Sequence, residues 1–183
     1  MLFSPTNLKA WIADNRHLFD PPFRTNRVIA HHAEFIVMML AGPNARLDFH
    51  YESGEEFFYQ IEGDIELHLK PEGRLREIVR IREGEMFVCP ANLAHSPRRG
   101  AATWGLVIER KRRDDEKESF LWFCENCDAL VLERDVTQDD AGAQVRRIYE
   151  AFNADAALRT CKACGYVFAQ TALVERLSFL QSR

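Results

Sequence analysis

The chain has 183 residues, of which 46% are hydrophobic and 28% charged, and its formal net charge is −4. This length indicates one domain with at most a small appendage and one buried core. The charge does not suggest a general nucleic-acid binder, and no apolar stretch has the length of a membrane span. Residues 1–10 lack a signal-peptide pattern, so we expect a cytoplasmic protein whose cysteines stay reduced.

The first predicted element is an amphipathic helix over Thr6–Leu18, capped by Thr6 or Asn7 and ended by a proline pair. From Arg27 to Arg110 the sequence changes to short β-like segments separated by glycine-containing turns. Many short strands at this spacing predict a β-sandwich or a small barrel. The predicted strands are Phe35–Leu40, Glu56–Ile61, Ile65–Leu69, Ile78–Ile81, Met86–Cys89 and Trp104–Ile108.

The rest of the chain predicts a second group of elements. We interpret the dense run of mixed charge over Glu109–Glu118 as a solvated link. Two strands, Phe120–Cys124 and Ala129–Val136, precede a helix over Ala143–Leu158 with one apolar face. Leucines between residues 173 and 180 predict a terminal helix that packs on the domain or on a partner chain.

Two stretches of the β-rich region carry residue types that bind metals. His50 and Glu56 lie in the first stretch, residues 42–63, and His95 ends the second, residues 84–95. Strand alternation points Glu55 and Glu56 to opposite faces, and the spacing from Glu56 to Gly63 favours Glu56 as the ligand. Two imidazoles and one carboxylate leave one face of a metal open, as in non-haem Fe(II) oxygenases.

The remaining histidines receive a structural interpretation. A single histidine is more often a surface or core residue than a ligand. These histidines are His17, His31, His32 and His68.

Arg46 lies four residues before His50, Arg99 lies four residues after His95, and Glu109 ends a predicted strand. Arg46 and His50 have the same parity along the chain, so both can face inward. An inward arginine beside a metal suits a carboxylate substrate, because guanidinium binds carboxylate through two hydrogen bonds. Taken alone, each arginine is equally consistent with a surface charge.

Four cysteines form two CxxC pairs, Cys124 with Cys127 and Cys161 with Cys164. Two such pairs in a reducing compartment indicate a tetrahedral four-thiolate site, and Gly165 permits a tight turn after the last ligand. Four thiolates fill the coordination shell, so we expect a structural site that holds iron or zinc. A disulfide or a redox-active CxxC is the alternative. The fifth cysteine, Cys89, is interpreted as core packing.

These segments resemble the bacterial type of 3-hydroxyanthranilate 3,4-dioxygenase, a cupin family. The likeness covers nearly the whole chain and is carried by residues 42–50, 55–60, 95–99 and 106–110 with the four cysteines. It implies a mainly β fold, a cupin jelly-roll barrel with flanking helices and a C-terminal rubredoxin-like four-cysteine site. It also implies a catalytic core over residues 1–118, including the N-terminal helix, and a metal-binding segment over residues 119–183.

The resemblance implies the metals as well. His50, Glu56 and His95 would hold catalytic Fe(II), and the four cysteines would hold a second iron or a zinc. The usual cupin motif has a further histidine at the position of Asp48, so three ligands are expected here rather than four.

Substrate and O2 contacts are implied in the same way. The substrate would meet Arg99 and Glu109, with Glu56 beside it, and Arg46 would contact O2. Arg46, Arg99 and Glu109 would be the catalytic residues. Asn26 corresponds to a loop asparagine that approaches the bound substrate in the family.

The implied activity is ring cleavage of 3-hydroxyanthranilate by O2 to 2-amino-3-carboxymuconate semialdehyde, in tryptophan degradation and supply of NAD precursors. The partners would be this small aromatic amino-hydroxy acid, O2 and a second copy of the chain in a homodimer. One alternative is a cupin dioxygenase of a related aminophenol or catechol carboxylate. Another is a non-catalytic cupin binding module that docks a partner through its cysteines.

Overall fold

The computed structural model describes residues 5–19, 26–31, 34–44, 46–137 and 141–171 as two antiparallel sheets with helices at their margins. One sheet has five strands, in the order β1 (Asn26–His31), β2 (Phe35–Ala41), β9 (Trp104–Arg110), β4 (Glu56–Glu62) and β7 (Met86–Cys89). The other has six, in the order β11 (Leu130–Val136), β10 (Glu118–Phe123), β3 (Phe49–Glu52), β8 (Ala94–Arg99), β5 (Ile65–Lys70) and β6 (Glu77–Ile81).

Alternate residues of facing strands fill the space between the sheets. In β4, Glu56, Phe58 and Gln60 are buried, as the period of two requires. Phe58 packs with Val107 of its own sheet and with Leu67 of the opposite sheet. This sandwich confirms the predicted mainly β, cupin-like jelly roll, and it directs the polar members of the same rows into the interior.

The N-terminal helix closes one flank of the five-stranded sheet. α1 (Leu8–Asn15) starts at Asn7, whose side-chain oxygen accepts a hydrogen bond from the backbone N–H of Ala10 at 3.0 Å. It buries Ile12 against Met39 and Trp104 and continues into a 3-10 turn over Arg16–Phe19. The helix is therefore shorter than the predicted Thr6–Leu18, because its last residues tighten into the 3-10 turn.

The C-terminal strands belong to the same sheet as His50 and His95. In β10, Phe120 pairs with His50 of β3. α2 (Ala141–Ala154) packs on β10, where the Trp122 and Phe152 rings stack with centroids 4.7 Å apart. The proposed boundary between residues 118 and 119 falls at the start of β10, and a division into two units remains a prediction.

Three described strands were not predicted as such: β1, β3 and part of β8. β3 and β8 carry many polar residues on their inward face, so they lack the apolar alternation that indicates a strand. The predicted solvated link is wrong at both ends, because Glu109 and Arg110 end β9 and Glu118 begins β10.

Other predictions fall outside the described residues, namely the proline pair, His32, the side chain of His31 and the terminal helix over residues 173–180. His17 is exposed and His68 half-buried, consistent with structural roles. Across the described part of the chain, no helix combines the length and hydropathy that crossing a bilayer requires.

Candidate metal and substrate site

The three candidate ligands come from both sheets and meet between them. His50 of β3 lies directly opposite His95 of β8, and Glu56 begins β4 in the facing sheet. Glu56 Oε1 is 3.1 Å from Nδ1 of His50 and 3.0 Å from Nε2 of His95. One ligand atom from each residue lies within 4.8 Å of the others, and all three residues are buried.

These distances fit one metal ion. Metal–nitrogen and metal–oxygen bonds of about 2.1 Å place neighbouring ligand atoms of an octahedron about 3.0 Å apart. The separations between Glu56 and the two imidazoles agree with that value. The donor set, two imidazoles and one carboxylate, is the one that binds non-haem Fe(II) with open positions.

Hydrogen bonds outside the triad orient both imidazoles. His95 donates from Nδ1 to the carbonyl of Leu93 at 2.9 Å, which leaves Nε2 directed at Glu56. In His50, Nε2 lies 2.7 Å from Oε1 of Glu118, and Glu118 in turn pairs with Arg112 at 2.6 Å. Such partners fix the ring and the tautomer of a ligating histidine.

Sequence reasoning missed Glu118. It was assigned to the charged link, yet its side chain is only 14% exposed and reaches a candidate ligand. The available signal was parity, because Glu118 shares alternation with the buried residues Phe120 and Trp122.

Charge holds the three candidate ligands together. Burial lowers the pKa of His50, but hydrogen bonds to Glu118 and Glu56 raise it more, to about 10. Burial also opposes the charged form of His95, and Glu56 still raises its pKa well above the ordinary value. Although burial favours the neutral acid, His95 and His50 lower the pKa of Glu56 well below its usual range. A metal dication would bind here by displacing protons from the imidazoles.

Asp48, at the position of the additional cupin histidine, is not directed at the triad. It is fully buried, pairs with Arg46 and accepts a hydrogen bond from the Tyr149 hydroxyl of α2. The charge of Arg46 is therefore balanced within the protein, and Asp48 raises the pKa of this arginine although burial opposes it.

Arg99 has no such balancing group. It is 4% exposed, and Nη1 donates to Oε1 of Gln60, a neutral amide, at 3.1 Å. Its buried Nε–H has no hydrogen-bond partner, and none of the described carboxylates lies within ion-pair distance. Burial, and then the charge of Arg46, lower the pKa of Arg99 to about 10.

Glu109 and Asn26 occupy different surroundings. Glu109 of β9 lies opposite Glu56, and one carboxylate oxygen of each falls within 4.8 Å of the other. Burial, and then Glu56, raise the pKa of Glu109 well above its ordinary value. Asn26 begins β1, and its buried Oδ1 has no hydrogen-bond partner among the described residues. The role of Asn26 at a substrate remains a prediction.

The four cysteines converge at the end of the β10–β11 hairpin. Cys124 and Cys164 have sulfur atoms 3.5 Å apart, and Cys127 and Cys161 have sulfur atoms 3.6 Å apart. Thiolates at about 2.3 Å from a tetrahedral ion lie about 3.8 Å from each other, so the cluster fits one ion. Hydrogen bonds involving Asn126 and the Tyr166 backbone lower the pKa of Cys164 to about 6, which favours its thiolate.

The two CxxC segments fold alike. The backbone N–H of Asp128 donates to the carbonyl of Cys124 at 2.9 Å, and that of Gly165 donates to the carbonyl of Cys161 at 2.8 Å. Asp128 and Gly165 both have positive φ, 61° and 76°. Glycine suits that conformation, and Asp adopts it more readily than most other residues.

Arg76 attaches the first CxxC segment to the sheet, and sequence reasoning missed it. Its backbone N–H donates to Asp128 at 2.8 Å and its guanidinium donates to Glu125 at 3.0 Å. The same guanidinium lies 5.1 Å from the centroid of Phe49, the residue before His50. The four-cysteine site is thereby fixed to the strand that carries a candidate ligand.

A sequence model of the 3-hydroxyanthranilic acid dioxygenase family matches residues 1–153. This chain belongs to that family. A 3-hydroxyanthranilate 3,4-dioxygenase of Bacillus cereus is 44% identical over 161 residues, which is 88% of this chain and 89% of the relative. One of Neurospora crassa is 43% identical over 165 residues, 90% of each chain.

Similarity to solved structures is weaker. A cupin-2 domain protein from Shewanella frigidimarina covers 58% of this chain and 94% of its own, with 20% identity and a TM-score of 0.46. That score carries no functional argument, so family membership depends on the sequence matches.

Replacing Glu118 by Gln should weaken metal binding at the triad, because the His50 ring then has a neutral amide as its hydrogen-bond partner in place of a carboxylate anion. Partners of ligating histidines typically contribute about 10- to 100-fold to metal affinity, and we expect a loss in that range. Competition with a metal-binding dye measures it. Glu133→Gln, an exposed change on β11, is the matched control. Equal affinities in the two variants would refute the role of Glu118.

Replacing Cys124 by Ser should remove the metal of the four-cysteine site and destabilise the protein by roughly 3 kcal/mol, or about 10 °C in Tm at this length. Elemental analysis and thermal unfolding measure the two effects. Lys162→Ser, an exposed change inside the second CxxC segment, should leave both unchanged. A Cys124→Ser protein with unchanged metal content would argue against a four-thiolate site.

Proposed function

We propose that this protein is a ring-cleaving dioxygenase that converts 3-hydroxyanthranilate and O2 to 2-amino-3-carboxymuconate semialdehyde. The observation that carries the proposal is the convergence of His50, Glu56 and His95 in the same interior as an unpaired Arg99. Its membership of the 3-hydroxyanthranilic acid dioxygenase family supports the same reaction.

His50, Glu56 and His95 would hold Fe(II) on one face. Fe(II) held there would allow electron density to pass between an organic chelate and O2, a reaction that they undergo poorly without a metal. The ring hydroxyl and amine of the substrate are the groups suited to that face. Leu93 and Glu118 fix the ring planes of His95 and His50, so the open side of the metal site would stay directed at the protein interior.

Three rows of inward residues suit the rest of the substrate. Register places Glu109 opposite Glu56, Val107 opposite Phe58, and Gly105 opposite Gln60. The row of Glu56 and Glu109 is polar and includes a candidate ligand, and the row of Phe58 and Val107 is apolar. Arg99 lies against the third row, at Gly105. A flat ring with a carboxylate at one end matches this sequence of environments.

Arg99 would bind the substrate carboxylate. Its charge is unbalanced and buried, so an incoming carboxylate gains a charge-assisted hydrogen bond in a setting with little competing water. That pairing fixes which ring edge faces the open metal positions. Arg46, already oriented by Asp48, would instead stabilise negative charge that develops on oxygen.

Glu109 would contact a polar substituent of the ring. Burial, and then Glu56, raise its pKa, which favours the protonated acid more than in a free carboxyl, so Glu109 can donate a hydrogen bond to such a substituent. The four-cysteine site would hold iron or zinc and serve structure, because its shell leaves no open position. A homodimer, by family resemblance, and a cytoplasmic location complete the proposal.

Iron-loaded protein should consume O2 when 3-hydroxyanthranilate is added, and less with related aminophenol and catechol carboxylates. His50→Ala should abolish both uptake and bound catalytic iron, because the triad loses a ligand. An oxygen electrode and iron analysis measure the two. His17→Ala, an exposed position, serves as the control. Retained turnover in His50→Ala would remove this residue from the ligand set, and a better substrate in the panel would change the assigned reaction.

Arg99→Ala should raise the KM for 3-hydroxyanthranilate roughly 100-fold, because loss of a buried charged partner costs this much in comparable sites. Catalytic iron content should stay at the wild-type level. Arg80→Ala, which removes an exposed arginine paired with Asp64, should leave KM unchanged. An unchanged KM in Arg99→Ala would place the carboxylate elsewhere.

A further inference from the structure

Among the described residues, the buried Arg99 guanidinium has a neutral side-chain partner, Gln60. We infer that Gln60 positions Arg99 for carboxylate recognition, and that an amide rather than an acid at residue 60 keeps the arginine charge available to the substrate. Gly105 supplies the space in which the two side chains meet. This inference rests on the proposed function and adds residues that determine which ligands the site accepts.

The orientation of the Gln60 amide is fixed. Gln60 is 1% exposed, and Nε2 donates to the carbonyl of Glu62 at 2.9 Å. Its Oε1 must therefore face Arg99, where it accepts the Nη1 hydrogen bond at 3.1 Å. A register shift between Gln60 and Glu62 in the β4–β9 pairing accompanies this local contact.

Gly105 is required by space rather than by backbone conformation. A Cβ at this position would lie 2.8 Å from Nη1 of Arg99 and 2.8 Å from Oε1 of Gln60. Its φ is not in the left-handed region, so other residues could adopt the backbone. Any side chain here would displace the guanidinium, the amide, or both.

The backbone at Arg99 is held as firmly as the tip of its side chain. The Arg99 N–H donates to Oδ1 of Asn44 at 2.8 Å, while Asn44 donates from Nδ2 to the carbonyl of Pro97 at 2.8 Å. Because the Arg99 backbone and the tip of its side chain are both held, the guanidinium has little freedom to turn toward another anion. Its buried Nε–H has no partner in the part of the chain that the structure describes, which is a costly arrangement unless a ligand provides one.

The identity of residue 60 decides the charge of this environment. A glutamate of nearly the same shape would form a buried ion pair with Arg99 and compete with the substrate carboxylate. It would also place an anion near the Glu62 carbonyl, which now accepts a hydrogen bond. A neutral acceptor orients the guanidinium without neutralising it, so selectivity for acids depends on residue 60 as well as on Arg99.

The test compares two ligands that differ only in the carboxylate, 3-hydroxyanthranilate and 2-aminophenol. Their Kd values are measured by calorimetry on iron-loaded protein without oxygen, so that no turnover occurs. Gln60→Glu should weaken 3-hydroxyanthranilate binding on the order of 100-fold, the range of a lost charged hydrogen bond. Binding of 2-aminophenol should change less than about 3-fold, since it makes no contact with Arg99.

Gln60→Met separates charge from positioning, because it removes the acceptor and adds no charge. It should weaken 3-hydroxyanthranilate binding about 10-fold, the range of a neutral hydrogen bond. In turnover assays Gln60→Glu and Gln60→Met should both raise KM and change kcat at saturation by no more than about 3-fold. Catalytic iron content should match the wild type.

Gly105→Ala should also weaken 3-hydroxyanthranilate more than 2-aminophenol. Its matched control is Gly100→Ala, since a Cβ at Gly100 meets no atom within 4 Å. Equal effects of the two glycine variants would overturn the role of Gly105.

The outcomes separate the inference from the function. If the wild type binds both ligands equally, Arg99 does not recognise a carboxylate and the proposed function fails. If the wild type prefers 3-hydroxyanthranilate and Gln60→Glu keeps that preference, the inference fails and the function stands. Equal loss of both ligands in Gln60→Glu would mean a structural role only, which also refutes the inference.

Discussion

The site depends on antiparallel pairing that places His50 opposite His95, with Glu56 supplied from the facing sheet. The two sheets must pack for this carboxylate to come within 3.1 Å of both imidazoles. Packing of the apolar row beside the ligands, Phe58 with Leu67, therefore supports the metal-binding geometry directly. Folding and metal binding are coupled, because the ligand set does not exist in the unfolded chain.

Several buried charged residues between the two sheets lie beside a group of opposite charge, and Arg99 differs from them. Arg46 is matched by Asp48, Arg112 is matched by Glu118, and Glu56 lies between two imidazoles. Among the described residues, the side-chain partner of the buried Arg99 cation is a neutral amide. A buried cation without a matching anion is costly, and the proposed substrate carboxylate would supply that anion.

The C-terminal segment contributes to the site from outside the central strands. Tyr149 of α2 orients Asp48, and Asp48 orients Arg46. Arg76 joins the first CxxC segment to Phe49, next to His50. A metal at the four cysteines would therefore stabilise the surroundings of the candidate ligand His50, although it lies at the end of a hairpin.

The sequence by itself determined the features that depend on local order. Strand alternation limited the ligand to one of Glu55 and Glu56, and the spacing to Gly63 favoured Glu56. The paired CxxC segments predicted a four-sulfur cluster, and Asn7 was one of two predicted caps. Tertiary structure alone decided which distant side chains meet. The contact of Glu118 with His50 depends on the pairing of β10 with β3. The contact of Gln60 with Arg99 depends on the packing of the two facing sheets and on the absence of a side chain at Gly105. Polar interior strands such as β3 and β8 give no periodic apolar signal, and partners far apart in sequence are chosen by the packing of the whole chain.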